Sequence, residues 1–164
     1  MTAKCPWAYR DPLEEIYHDH VWGRPCHDDR ILFEYLILEG MQAGLSWTTI
    51  MRKREAMDKA FDHFDLEAIL SYDDKKIDSL MANPAIIRNR RKLEALSKNA
   101  KAFKAVQEEW GSFQAYVWSF TEGKVLLGQW ARIEQVPSTS PLANFLSKDM
   151  KKRGFSFVGP TIVQ

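Results

Sequence analysis

Apolar residues recur along the chain at helical spacing, and no alternating strand pattern runs beyond a few positions, so an all-α fold is expected. Asp28-Asp29 reads as an acidic helix start. Ile31, Leu32, Phe33, Tyr35, Leu36, Ile37 and Leu38 follow it, apolar on nearly every side and therefore central to a core, and the helix is expected to end at Gly40. Ser46 can cap a second helix bearing Trp47, Ile50 and Met51, with Arg52, Lys53 and Arg54 on its exposed face. Asp65 and Asp73 each start a shorter one. Pro84 suits the first turn of a long helix reaching Phe103, whose exposed side would carry Arg88, Arg90, Arg91, Lys92, Lys98, Lys101 and Lys104. Ser112 opens a helix with Tyr116, Trp118 and Phe120, a turn follows at Glu122-Gly123, and Leu126 to Ser138 has no clear period. Ser140-Pro141 opens a further helix whose last turn, Lys151-Lys152-Arg153, precedes Gly154.

A length of 164 residues, 45% of them apolar, suits one domain with one core. No apolar run is long enough for a membrane helix, and the first ten residues lack the layout of a secretory signal, so a cytoplasmic location is expected. Two cysteines, Cys5 and Cys26, make no disulfide framework. The net charge of +1 conceals an asymmetry. Residues 1–82 hold ten Lys and Arg against sixteen Asp and Glu, and residues 83–164 hold thirteen against six. A basic half is what a polyanion would meet, although solvated helices can also differ this way.

Three features carry candidate chemistry. The segment Lys151 to Thr161 combines a basic helix end, a tight apolar turn closed by Gly159 and a new helix start at Pro160. Such a turn between helices can aim backbone N–H groups at a phosphate, or it can be an ordinary turn with apolar contacts. Glu39 follows an apolar run, and a buried carboxylate is rare unless paired or functional. With Gln42, Trp47, Trp7, Tyr17 and Trp22 it could line a pocket for a flat, electron-poor heterocycle; the same aromatics could equally be core. Cys5 and His18 are ligand types zinc accepts, but a structural site needs four, and His20, Cys26 and His27 add no compact pattern.

Cys5-Pro6-Trp7, Asp11-Pro12-Leu13, Tyr17-His18-Asp19, Trp22-Gly23 and the segment Leu38 to Trp47 resemble the bacterial 3-methyladenine DNA glycosylase I family. The resemblance continues through Lys53-Arg54-Glu55, Ile86 to Arg90, Val117 to Phe120, Pro137 to Ser140 and Arg153 to Gly159, and so spans essentially the whole chain. It implies a helix-hairpin-helix fold and a monofunctional DNA glycosylase of base excision repair. Such an enzyme hydrolyses the N-glycosidic bond of 3-methyladenine flipped out of alkylated double-stranded DNA, leaves an abasic site and releases the free base.

Under that resemblance Glu39 accepts hydrogen bonds from the base, Tyr17 lines the pocket, Trp47 stacks, and Trp7, Trp22 and Gln42 complete the walls. Lys151, Lys152, Arg153, Gly154, Phe157, Gly159 and Thr161 grip the backbone. The resemblance also implies a structural zinc held by two pairs of ligands, with Cys5 and His18 as the first pair, and no organic cofactor. The sequence reaches Gln164 just after the hairpin, where the family continues into the second pair, so residues 1–164 are expected to form one helical domain cut short there. A monomer is expected, and no membrane partner. Two readings from other classes remain: a non-catalytic binder of alkylated or distorted DNA, and a sensor of the free base.

Overall fold

The computed structural model describes residues 4–164. Nine α-helices and no strand occur among them: α1 (Pro12–His20), α2 (Asp29–Gln42), α3 (Trp47–Ala60), α4 (Leu66–Leu70), α5 (Asp74–Met81), α6 (Arg90–Trp110), α7 (Phe113–Ser119), α8 (Pro141–Lys152) and α9 (Pro160–Val163). The all-α expectation holds.

Helix starts follow the short polar residues that can accept from orphaned backbone donors. Asp28 accepts from the N–H groups of Arg30 and Ile31, Ser46 from Thr49, Asp65 from Ala68, Asp73 from Lys76, Ser112 from Ala115 and Ser140 from Ala143. Three expectations change. α1 was not anticipated, although Asp11 caps it at the Leu13 N–H and Pro12 occupies its first turn. α2 runs past Gly40 to Gln42. The long helix starts at Arg90 rather than Pro84, because Asn83 turns the chain through the Ala85 N–H and Asn89 supplies the cap by accepting from Lys92.

α2 is the central element, with Phe33, Ile37, Leu38 and Met41 buried, and it packs on α3, α6 and α7. α6 contributes Leu93, Leu96, Ala100, Phe103 and Val106 to the same core and carries α4 and α5 on its flank. Truncating one of the fully buried rings, such as Phe103, would cost on the order of 3–5 kcal/mol.

Side chains far apart in sequence tie these layers together. Asp29 accepts from the Phe113 and Gln114 N–H groups, each at 2.8 Å, and so caps α7 from the start of α2. The basic cluster of α3 is not simply exposed. Arg52 pairs with Asp11, Arg54 with Glu34, and Lys53 donates to the carbonyls of Pro84 and Ala85.

Between α8 and α9 the chain turns tightly, with Gly154 at φ +97° and Phe157 at φ +58°. The buried Asn99 of α6 grips this turn at both ends of one residue, accepting from the Ser156 N–H at 2.7 Å and donating to its carbonyl at 3.1 Å. The buried Ser147 hydroxyl donates to the Val158 carbonyl at 2.6 Å. Left-handed backbone at a phenylalanine costs about 1–2 kcal/mol, and these bonds on either side hold it there. Phe157 lies against Gly40, where a Cβ on the glycine would stand 3.4 Å from that of the phenylalanine. The turn therefore rests on the residue next to Glu39.

Candidate active site

Successive turns of α2 place Tyr35 and Glu39 on one face. α1 sets Tyr17 against Tyr35, with ring centroids 5.9 Å apart, and against Trp47, the first residue of α3, at 5.0 Å. Trp7 extends the cluster, 6.3 Å from Tyr17. The Glu39 carboxylate is largely buried here, and among the described residues no side chain or backbone group hydrogen-bonds to it. Burial pushes its pKa up to about 7. Burial likewise raises the Tyr17 phenol, with the nearby Glu39 charge adding to it.

An uncompensated carboxylate among aromatic rings stands to gain most from a flat cation, which can pair with the acid and stack on the faces. The Trp47 Nε1–H is also buried, with no partner among the described residues.

Of the anticipated walls, Trp7 joins the cluster directly. Trp22 is half exposed, edge-on to Trp7 at 5.3 Å and stacked on His18 at 5.6 Å, so it sits one ring further out. Gln42 donates from its amide nitrogen to the Leu45 carbonyl at 2.9 Å and thus holds the turn after α2. Tyr35 and Arg54 were missed. Arg54 lies over the Tyr35 ring, 5.4 Å from its centroid, and is bound to the buried Glu34. The four-residue spacing from Tyr35 to Glu39 was readable as one helix face.

The residues present do not make the expected zinc site. His18 Nε2 accepts from the Cys5 N–H at 3.5 Å and its Nδ1 faces Asp19 at 2.9 Å, so Cys5 and His18 are neighbours. Among the described residues no group of three or more His, Cys, Asp or Glu side chains is placed to hold a metal. Two donors fall short of a tetrahedral set, so the described residues supply no more than the pair Cys5 and His18.

The basic surface is narrower than the sequence suggested. Arg153, anticipated as a phosphate ligand, is bound to Glu109 and Asp149 and lies over the Tyr116 ring. Arg90 pairs with Asp78 and Lys104 with Glu67, while Lys92 is buried. Lys151 and Lys152 remain exposed in the last turn of α8. A groove of about 410 Å³ between α6 and the turn brings Arg91, Lys98 and Lys151 beside Ser156 and Phe157. Gly154 and Gly159 shape that turn, and Thr161 is exposed at the start of α9. An apolar groove of about 800 Å³ between the 124–137 segment, α7 and α8 contains none of the anticipated site residues.

Residues 7–164 match the family model described as methyladenine glycosylase. This chain belongs to the methyladenine glycosylase family. It is 42% identical over 161 residues to a DNA-3-methyladenine glycosylase of Haemophilus influenzae, a match covering 98% of this chain and 87% of that protein. A crystal structure of a 3-methyladenine DNA glycosylase I superposes with a TM-score of 0.94 at 42% identity, covering 98% of this chain and 88% of the other. A variant of 3-methyladenine DNA glycosylase I in complex with 3-methyladenine superposes at 0.93 with 39% identity, over 98% and 86% of the two chains. Membership accounts for the fold as well as for the sequence likeness. Among the described residues of this methyladenine glycosylase, no helix is long and apolar enough to cross a membrane.

Proposed function

We propose that this methyladenine glycosylase releases 3-methyladenine from alkylated double-stranded DNA through the pocket of Glu39, Tyr17 and Trp47, acting as a monomer in the cytoplasm of a bacterium. The observation that carries the reading is the Glu39 carboxylate, buried among aromatic rings and met by no cation or hydrogen-bond donor among the described residues.

Adenine methylated at N3 in DNA is a cation, and its glycosidic bond is already weakened because the base leaves neutral. Catalysis then rests on capturing and orienting the base more than on protonating it. Flipping costs a few kcal/mol of stacking and pairing, and an aromatic partner returns roughly 1–3 kcal/mol per stacked base. Trp47 supplies that face, Tyr17 and Trp7 close the cluster, and Glu39 accepts hydrogen bonds from the base edge. The cationic base gains attraction to the carboxylate and rings that neutral adenine lacks. Water adds to the sugar carbon as the C–N bond breaks, its proton goes to solvent, and the products are free 3-methyladenine and an abasic site. Lys92, the amine that reaches the end of α2, is engaged by the Met41 and Ala43 carbonyls, which supports hydrolysis without strand cleavage.

The turn from Gly154 to Gly159, read as the helix-hairpin-helix element, would hold the DNA backbone with Lys151, Lys152 and Thr161. Arg153 would brace the turn from within. Incubation with methylated duplex, followed by quantification of free bases and of strand breaks, tests the reading. Released 3-methyladenine with intact strands is expected. DNA binding without released base would make the protein a binder, and affinity for the free base without DNA binding would make it a sensor.

A further inference from the structure

Lys92 belongs by sequence to the basic side of α6, yet it is 7% exposed. Its ammonium points inward and donates to the carbonyls of Met41, at 2.7 Å, and Ala43, at 2.6 Å. Among the described residues no carboxylate pairs with it. Lysine is almost never buried without a paired charge, and here burial lowers its pKa. What receives it is the C-terminal end of α2, where orphaned carbonyls and the helix dipole favour a cation.

Those two carbonyls flank the connection between Glu39, the carboxylate proposed to receive the base, and the stacking tryptophan. Glu39 lies in the last turn of α2, Trp47 opens α3, and only residues 43–46 lie between the helices. The connection has little slack. The Gln42 carbonyl accepts from the Leu45 N–H at 2.7 Å, the Gln42 amide donates back to the Leu45 carbonyl at 2.9 Å, and Gly44 takes φ +79°. At the other end, Lys92 is fixed in the first turn of α6, where its N–H donates to the Asn89 cap. The ammonium thus binds the end of the Glu39 helix and the first residue of the turn leading to Trp47 to one rigid point.

Resting on the functional reading above, we propose that Lys92 is a positioning residue for base excision, setting Trp47 against Glu39 through the carbonyls of Met41 and Ala43. Lys92→Met keeps the apolar stem and removes the donors, so both carbonyls lose their partner. Displacement of about 1 Å at a reacting centre can cost 100-fold in rate.

The expected result is a fall of about tenfold or more in the single-turnover excision rate at saturating folded enzyme, with affinity for an abasic duplex within about threefold of wild type. Lys92→Arg, which keeps donors, recovers part of the rate. A folded Lys92→Met protein that excises at the wild-type rate, or one whose rate and duplex affinity fall equally, overturns the proposal. If Lys92→Met does not fold, NMR of the lysine ammonium groups in the wild-type protein decides. One protected ammonium signal that shifts on titration with free 3-methyladenine supports the role, and its absence or indifference overturns it. Wild-type protein that releases no base would instead sink the functional reading.

Discussion

Glu39 has the most consequential side chain among the described residues, because none of them donates a hydrogen bond or a charge to it. Its carboxyl titrates near pH 7 in the fold against an ordinary value of 4.5, so the unfolded chain gives up its proton first. The favourable contribution is therefore complete below pH 4.5 and is lost as pH rises through about 7. At about 1.4 kcal/mol per unit, the loss is on the order of 3 kcal/mol. Urea unfolding at pH 5 and pH 8 should show that loss in the wild type and not in Glu39→Gln; equal pH dependence in both would remove Glu39 as its source. If the ionised form receives the base, kcat/KM should rise with pH through about 7, and a profile flat from pH 5.5 to 8.5 would contradict this. Glu39 was legible in the sequence because an acid at the end of an apolar helix has few places to go. Lys92 and Arg153 were not, since a cation's destination depends on carbonyls and carboxylates dozens of residues away.

Caps and apolar periodicity announce most of the helices the structure contains. Ser46, Asp65, Asp73, Ser112 and Ser140 cap as read. α1 escaped notice because its aromatic and charged residues follow no clean apolar stripe, although Asp11-Pro12 was a fair start signal. Asp29 shows the limit of reading acids locally: Asp28 caps α2, and Asp29 serves α7 across the core. Asp29→Ala leaves the Phe113 and Gln114 donors without that acceptor, and a loss of about 2–3 kcal/mol in urea unfolding is expected. A change below about 0.5 kcal/mol would show that water replaces the carboxylate. In the α8–α9 turn, replacing Lys151 and Lys152 by Ala with Arg153 left in place should weaken duplex binding and reduce the salt slope by about 1–2. An unchanged slope would move the DNA face elsewhere.

At the scale of the whole molecule, the division into an acidic and a basic half takes on a physical meaning. The candidate base pocket comes from residues 7–47, and the exposed cations Arg91, Lys98 and Lys151 come from the second half. The two meet where Phe157 presses on Gly40, one residue from Glu39. That junction was not readable in the sequence, because a left-handed phenylalanine is held in place by Asn99 and Ser147 rather than by its neighbours in the chain. In the proposed function the buried Glu39 carboxylate selects the cationic base for release. The most direct test of that selection is the single-turnover release of 3-methyladenine from methylated duplex by wild type and Glu39→Gln, measured beside affinity for an abasic duplex. Release slowed by about 100-fold or more, with affinity within about threefold, is the predicted result; release by Glu39→Gln at the wild-type rate would contradict it.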